Sequence, residues 1–423
     1  MTCHGIPARI LPFVLILAMS LLIPAAPVFA GQNVNIKSES LVRFLERDTV
    51  SENNALIVPA YEYLNFDIGS STVTFHASGF GRYDLTDNDF FSDQSTGELL
   101  YGYLEIRPTN NKITARLGRQ TVFGGVANES IDGLYFDTAL LSSLSLSAYA
   151  GQPVSVNDIN SRDGDSIYGG RVGFRISKLN LGLSYKMLEN DSTDSEEMAG
   201  VDYGITLHNL YIGGVSTYNL ITEDFAEHSF DAIMSSEANR LRLFYQLFTF
   251  ADYFGTGANN ANPFRLLAQT YEELSSYGLE LTRKISENAE LGIKLTRNDY
   301  DLEEASHYAA LLISLGDTKT QYGGEIGISE GENGRNDMLL ARGYILRKFV
   351  GNRLIDQLSF DILYATYDQP IFNEDTSIFT SLSASSKLSE RLMLKLSTDY
   401  ESSPYYDSDV RGLVSLVYNY AGQ

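Results

Sequence analysis

The chain has 423 residues, of which 54 are acidic and 31 basic, and its formal net charge is −23. This balance disfavours a nucleic-acid partner, because binding a phosphate backbone takes a basic surface. The single cysteine, Cys3, lies near the N-terminus, so the chain beyond it has no disulfide, no thiol nucleophile and no cysteine pair for attaching a c-type haem. We expect no cofactor, no metal site and no catalytic residue.

Residues 1–30 have the composition of a secretory signal peptide. Arg9 precedes the apolar run Ile10–Pro24, and the segment ends on Val28-Phe29-Ala30, which has the small-x-small form of a cleavage site. We expect cleavage near Ala30 and a mature domain over residues 31–423. No segment of that domain is apolar for long enough to span a bilayer as a helix.

Beyond the signal peptide, short segments of alternating polar and apolar residues follow one another to the end of the chain. In Leu179–Met187, leucine, tyrosine and methionine share one face, while asparagine, glycine, serine and lysine share the other. Such alternation predicts about 22 strands, and merging two or three hairpins would reduce the number to roughly 16 to 20. The predicted strands, of which the first alternates least, are at 34–47, 56–69, 73–86, 98–108, 113–123, 131–141, 144–154, 167–176, 179–188, 200–208, 209–220, 227–236, 240–251, 273–284, 289–300, 306–316, 321–330, 336–348, 357–369, 378–387, 391–402 and 411–420.

The connections between these strands are alternately short and long. Outer-membrane barrels have short periplasmic turns and longer external loops, whereas a soluble β-sandwich has no reason to keep that phase along the whole chain. We therefore predict an all-β chain that forms a single large transmembrane antiparallel β-barrel in the outer membrane, with both termini in the periplasm. The predicted long loops are Thr86–Gly97, Gly124–Ser130, Ser155–Ser166, Glu189–Ala199, Tyr253–Glu272 and Ile371–Ser377.

The last predicted strand, 411–420, resembles the C-terminal strand by which the barrel-assembly machinery recognises outer-membrane proteins, although three residues follow its last aromatic, Tyr420. The resemblance implies that machinery as a partner, together with outer-membrane lipids. Acidic clusters in the predicted loops, such as Asp158–Asp165, could also bind lipopolysaccharide through bridging divalent cations. They have a simpler interpretation as solvated loops.

The segment RLGRQ, residues 116–120, resembles a strand motif of Gram-negative porin-like barrels in which the basic residues project into the pore. Arg116 and Gln120 fall on the predicted inner face. Arg119 has the opposite phase, so it needs a bulge at Gly118 or a place near the membrane interface. The resemblance to porin-like barrels as a whole covers residues 31–423 and depends on the strand pattern.

If the leucine and tyrosine faces contact lipid, the opposite faces line the interior. Charges of both signs on those faces indicate an interior filled with water or with a partner, since a dry core could not pair so many charges. A conducting lumen and a wall stiffened by cross-strand pairs are both compatible with this pattern. The residues predicted to line the pore are Glu105, Arg107, Arg116, Gln120, Arg171, Arg175, Lys186, Arg240, Arg242, Glu280, Lys294 and Glu325.

Three functions fit a barrel of this size. The first is a porin for passive passage of ions or small solutes, with Tyr253–Glu272 folding inward as a constriction. The second is a sheath: the chain resembles the barrels of porin–cytochrome conduits in metal-reducing bacteria, which implies a multihaem cytochrome in the lumen. The third is lipid modification, because His76-Ala77-Ser78 resembles the His-x-Ser of outer-membrane lipid-A deacylases. Since both side chains have the lumen phase, we do not expect catalysis.

Overall fold

A computed structural model of the chain describes residues 33–47, 54–86, 90–108, 112–154, 164–189, 196–249, 273–301, 305–331, 337–349, 351, 354–404 and 406–422. The predicted signal peptide, residues 1–30, and the predicted constriction loop Tyr253–Glu272 lie outside these residues. Within the described ranges, no helix has the length and apolarity needed to cross a membrane. The strands in these ranges, β1 to β23, are Asn33–Arg47, Ala55–Ile57, Pro59–Gly69, Val73–Asp84, Ser95–Ile106, Ile113–Gly124, Ala127–Leu141, Leu144–Pro153, Ser166–Ile176, Leu179–Glu189, Glu196–Leu207, Leu210–Asn219, Asp224–Ser235, Asn239–Thr249, Glu273–Ser286, Ala289–Tyr300, Ser306–Gly316, Thr320–Gly331, Met338–Lys348, Gln357–Ile371, Glu374–Lys387, Leu392–Ser403 and Tyr406–Gly422.

The strands close into one antiparallel barrel. Each long strand pairs with its neighbours in the chain, and β1 pairs with β23 from Val34–Gly422 to Leu45–Arg411. On its other side β1 pairs with β3, and the three-residue β2 continues that pairing to the end of β1. The barrel therefore has 22 strands, which confirms the predicted fold class, and its closure leaves no free edge at the seam.

The two ends of the barrel differ in their connections. Both ends of the described chain lie at the end with tight turns, for example Ser142-Ser143 and Ser177-Lys178. There Asp317 accepts hydrogen bonds from the backbone N–H groups of Thr320 and Lys319 at 2.8 and 2.7 Å, and these bonds hold the pKa of its carboxyl below the usual value. The opposite end carries most of the longer connections, as the sequence predicted.

The predictions of long loops at Gly124–Ser130 and Ile371–Ser377 are wrong. In both places the strands continue and are joined by a two-residue turn. In the second turn Phe372 and Asn373 both have positive φ, 51° and 72°, as a type I′ hairpin turn requires. The glycine and asparagine residues of these segments belong to tight turns and to strand ends, so they do not mark long loops.

The outer face of the barrel is aliphatic and exposed. Leu311 and Ile326, which are paired on β17 and β18, are 65 % and 64 % exposed. A water-soluble protein does not expose so large a continuous apolar surface, so this face contacts lipid. Other exposed side chains of this face are Leu64, Phe75, Leu104, Leu117, Leu134, Leu183, Leu243, Leu281, Ile293, Leu295, Ile313, Ile328, Leu339, Ile345, Leu382, Leu396 and Val414.

One hairpin leaves the wall and folds into the lumen. β6 pairs with β5 only as far as Gly102–Arg119, whereas its pairing with β7 continues to the turn. We call residues 120–131 the infolded hairpin. At its tip the backbone N–H of Val126 donates a hydrogen bond of 3.1 Å to the hydroxyl of Ser184 on the inner face of β10. The hairpin therefore lies against the inside of the barrel.

The bend of this hairpin follows a row of three glycines. Gly118, Gly133 and Gly151 are paired with one another across β6, β7 and β8. A Cβ on Gly118 would lie 2.3 Å from the carbonyl oxygen of Gly102, and one on Gly133 would lie 2.1 Å from that of Ala150. Gly118 also has φ +124°, which other residues rarely adopt. Only glycine allows the sheet to fold this sharply here.

The infolded hairpin packs on the inner face of β8 to β10 through an apolar cluster. Burying one aliphatic side chain contributes about 2 kcal/mol, so a cluster of this kind holds the hairpin with several kcal/mol. Ile131 from the hairpin and Ile167 from the wall are almost fully buried. The cluster consists of Val122, Ala127 and Ile131 from the hairpin and Tyr149, Ile167 and Leu188 from the wall.

Candidate functional site

The pairing register brings the inner-face residues together in cross-strand pairs. Glu105 lies opposite Arg116 on the neighbouring strand, and their carboxylate and guanidinium are 2.9 Å apart. Arg107 contacts the other carboxylate oxygen, also at 2.9 Å. Arg116 lies against two rings as well, 5.4 Å from the centroid of Tyr103 and 5.2 Å from that of Tyr135. The buried Glu105 is therefore held between two cations.

Arg171 and Arg175 on β9 also have partners. Arg171 donates two hydrogen bonds to Asp202, at 2.9 and 2.5 Å, in a bidentate pair that reaches from β9 to β11. Gly182 of β10 lies between them, and a Cβ there would be 2.2 Å from both partners. Glycine at this position makes room for the ion pair. Arg175 donates to the side-chain oxygen of Asn180 at 2.9 Å.

Lys186 joins the infolded hairpin to the wall. Its ammonium group is 2.9 Å from Glu129 of the hairpin and 2.5 Å from Glu196 of β11. Lys186 is buried, so these two carboxylates replace the water that would otherwise surround its charge. At the hairpin tip Gly125 has φ +59°, and a Cβ there would lie 2.1 Å from the hydroxyl of Ser184. Contacts at both positions hold the hairpin inside the barrel.

The wall from β13 to β20 carries similar pairs that are more exposed. Arg242 donates to Asp231 at 2.5 Å and lies opposite Glu280 in the register. Arg342 forms a bidentate pair with Asp361, with the shortest bond at 2.7 Å. Both arginines have side chains that are close to half exposed. These pairs contact the lumen, whereas the pair at Lys186 is covered.

Lys294, Glu325 and Arg240 lie on the same inner wall. The ammonium of Lys294 is 5.4 Å from the ring centroid of Tyr308, whose hydroxyl donates to Glu325 at 2.5 Å. In the register Lys294 lies opposite Glu280. Arg240, the second residue of β14, is exposed. Positive and negative side chains thus alternate around this part of the lumen.

Two residues of the RLGRQ segment lie outside the open lumen. Gln120 has the inner phase but is fully buried, with its amide nitrogen 3.3 Å from the carbonyl oxygen of Gly133. Arg119 has the outer phase and is 6 % exposed, and it forms a bidentate pair with Asp132 at 2.9 and 2.7 Å. It also donates to the carbonyl oxygen of Leu99 on β5 at 3.2 Å. Arg119 therefore joins β5 to β7 where the β5–β6 backbone pairing ends.

Sequence reasoning missed several acidic partners of the inner face, among them Glu129, Glu196 and Asp231. Glu129 lies in a segment that was predicted to be a loop, and Glu196 lies in another, so neither was assigned a face. Asp231 has the inner phase of a predicted strand. Ile233 is the residue opposite Arg242, and Asp231 is two residues before Ile233 on the same face. Matching acidic with basic residues across that predicted hairpin would have found it.

His76 and Ser78 both have the lumen phase, as predicted. The imidazole Nδ1 of His76 is 2.6 Å from a carboxylate oxygen of Asp67, and its ring stacks on Tyr103 with centroids 4.9 Å apart. Ser78 is buried in the wall. In the part of the chain that the structure describes, no group of three or more His, Cys, Asp and Glu side chains is arranged to hold a metal ion.

No family model matches the sequence, and no curated protein is similar to it in sequence. Solved structures similar to the chain include the translocation pore of the P pilus usher PapC, 9 % identical, with a TM-score of 0.49 over 92 % of this chain and 100 % of that one. OccK1 (OpdK) of Pseudomonas aeruginosa is 10 % identical, with a TM-score of 0.46 over 92 % and 99 %. OccAB4 of Acinetobacter baumannii is 9 % identical, with a TM-score of 0.45 over 93 % and 99 %. By its own closed strand pairing and its aliphatic outer wall, the chain has the fold of an outer-membrane β-barrel.

Proposed function

We propose that the protein is a passive channel for ions or small polar solutes. The observation that carries this proposal is the inner face from β13 to β20, where charged side chains of both signs stay in contact with open space. Arg242 and Arg342 are examples, with side chains 40 % and 48 % exposed although each is paired. A dry or sealed interior would leave such charges without the solvent they need.

The infolded hairpin supports a narrowed channel over a wide one. A barrel of about 22 strands encloses a large lumen, which would leak unless something fills part of it. The hairpin occupies one side of that space and is fixed there by the apolar cluster and by Lys186. In this proposal the hairpin is the constriction, a role that the sequence assigned to Tyr253–Glu272.

Single-channel recording of the purified protein in a planar lipid bilayer tests the proposal. We expect a steady open current that rises with salt concentration, because the charged wall keeps the lumen hydrated. A correctly folded barrel that carries no current would refute the channel. The cytochrome-sheath hypothesis predicts a different result, namely haem absorbance that co-purifies with the barrel in gentle native extracts.

A further inference from the structure

The barrel wall has a break between β5 and β6. β5 runs from Ser95 to Ile106, yet its pairing with β6 extends only to Gly102. The residues from Ser95 to Tyr101, except the bulged Leu100, pair with β4 on one side and, among the described residues, have no backbone pairing with a strand on the other. At ~3.3 Å per residue this open edge is about 20 Å long.

Only the inner half of the break, next to Leu99 and Leu100, lies in the apolar part of the wall, since the outer half, Ser95–Glu98, is polar. Leu99 and Leu100 beside it are apolar and exposed, and Phe123 on the infolded hairpin is 70 % exposed. A backbone group that faces hydrocarbon without a partner costs several kcal/mol. Arg119 satisfies the carbonyl oxygen of Leu99 on this edge, and the other unpaired backbone groups need water, or the polar part of a ligand, to reach them. The break therefore lies between the aqueous lumen on one side and the lipid on the other.

The lumen wall next to the break is aromatic. On β3 and β4, the ring centroids of Tyr61 and Tyr63 are 6.1 Å apart, and those of Tyr63 and Phe80 are 5.3 Å apart. Tyr101 and Tyr103 continue this aromatic strip onto β5, with centroids 5.9 Å apart. Tyrosine offers an apolar ring and a polar hydroxyl, so it suits a ligand that is itself part apolar and part polar.

From the break, its apolar rim and the aromatic strip we propose that this site is a lateral portal for small apolar or amphipathic molecules. Such a molecule binds the aromatic strip from the lumen and passes between β5 and the infolded hairpin into the surrounding lipid. Arg119 belongs to the last backbone pair and marks the lower limit of the portal, and its guanidinium spans the first residues of the break by contacting Leu99 of β5 and Asp132 of β7. The portal is separate from the polar pathway of the proposed channel, and either can fail alone.

A tryptophan probe tests whether lipid reaches the break. The chain contains no tryptophan, so one introduced residue reports its own surroundings. Tyr101→Trp places the probe inside the break, and Tyr344→Trp places it inside the continuous wall of β19, which is paired on both sides. In liposomes with brominated acyl chains we expect roughly twofold stronger quenching of the first, since lipid reaches it through the break. Equal quenching of the two variants would overturn the portal.

A transport assay tests whether molecules use the break. The double variant Leu100→Trp/Thr121→Trp fills it, and the control Ile293→Trp/Leu311→Trp adds two tryptophans to a paired position on the continuous outer wall. The probe is N-phenyl-1-naphthylamine, an apolar aromatic dye that fluoresces in lipid, and vesicles with an outer leaflet of lipopolysaccharide keep its background entry slow.

We expect the filled variant to lose most of the protein-dependent dye entry, roughly tenfold, while the control keeps it. Both variants are first shown to be folded by their heat-modifiable mobility. Dye entry that is unchanged in the filled variant, or absent in the unaltered protein, would overturn the portal. Dye entry without ion conductance in the unaltered protein would refute the channel and support the portal.

Discussion

The wall from β6 to β11 and the wall from β13 to β20 have the same strand geometry and the same kind of inner charges, yet only the first is covered. Under the infolded hairpin Lys186 is buried between two carboxylates, whereas Arg342 on the other wall makes its ion pair half exposed. The order of charges along the strands does not account for this difference. The position of one hairpin decides which ion pairs face the lumen.

The ion pairs of the two walls also differ in how much they contribute to stability. An exposed pair such as Arg342–Asp361 contributes about 0 to 1 kcal/mol, because water and salt screen it. A buried charge such as Lys186 costs much more to leave without its partners. The covered wall should therefore set the stability of the constriction, and the open wall should set the ion preference of the lumen.

Removing the infolded hairpin should have the largest effect. Replacing residues 122–129 with Asn-Gly joins Thr121 and Ser130, which are paired, by a two-residue turn. We expect single-channel conductance to rise roughly threefold, since the hairpin no longer fills one side of a barrel this wide. Replacing residues 367–375 with Asn-Gly shortens the β20–β21 hairpin in the same way and should leave conductance unchanged. Equal conductance of both variants and the unaltered protein would show that the hairpin is no constriction.

Lys186→Met should loosen the hairpin without removing it. The change leaves Glu129 and Glu196 facing each other, and because both are partly exposed we expect a loss of about 2 kcal/mol in urea unfolding and noisier single-channel current. Lys294→Met, on the open wall, should cost less than about 0.5 kcal/mol. Adding Glu129→Gln and Glu196→Gln to Lys186→Met should restore a steady current. An equal loss of unfolding free energy in Lys294→Met would show that burial under the hairpin does not make the Lys186 ion pair more important for stability.

Gly125→Ala should have a smaller effect, and Gly351 offers a matched control. Both glycines have positive φ, +59° and +79°, so alanine costs about 1 kcal/mol of backbone strain at either position. Only at Gly125 does the new Cβ also collide, with Ser184 of β10, whereas nothing lies within 4 Å at Gly351. We expect the thermal unfolding midpoint to fall further for Gly125→Ala. Identical midpoints would mean that the hairpin tip is not docked.

Arg342→Gln should give the smallest change in stability, below about 1 kcal/mol, and a change in ion preference. The variant leaves Asp361 unpaired in the lumen, so the reversal potential in a potassium chloride gradient should shift towards cation selectivity. Arg171→Gln, next to the infolded hairpin, should lower stability more and selectivity less. A selectivity shift in the opposite order would place the conducting path along the covered wall.

The strand order and the inner phase could be predicted because alternation depends only on the local sequence. In Leu179–Met187 the prediction placed Leu183 outside and Lys186 inside, and in the structure the first is exposed to lipid and the second faces the interior. Strand ends were less predictable, since glycine and asparagine occur both in tight turns and in long loops. That ambiguity hid the strand content of Gly124–Ser130.

The infolded hairpin could not be predicted, because it depends on where the β5–β6 pairing stops. Gly118, Gly133 and Gly151 are far apart in sequence and form a row only once the register is known. The burial of Gln120 follows from the same fold. One local sign existed: Arg119 had the wrong phase for a pore residue, and the structure places it at the bend.

The seam between β1 and β23 has a consequence for how the protein is made. Ser415 donates a hydrogen bond to Glu39, and 376 positions separate them. Closing a loop of that length costs only about 5 kcal/mol of chain entropy, because the cost grows with the logarithm of length. The pairing of two whole strands exceeds that cost easily. The order of synthesis is the greater difficulty, because the edge of the first strand stays unpaired until the last strand has been synthesised and reaches the membrane. A factor that protects this edge during biogenesis would therefore determine the yield of folded protein.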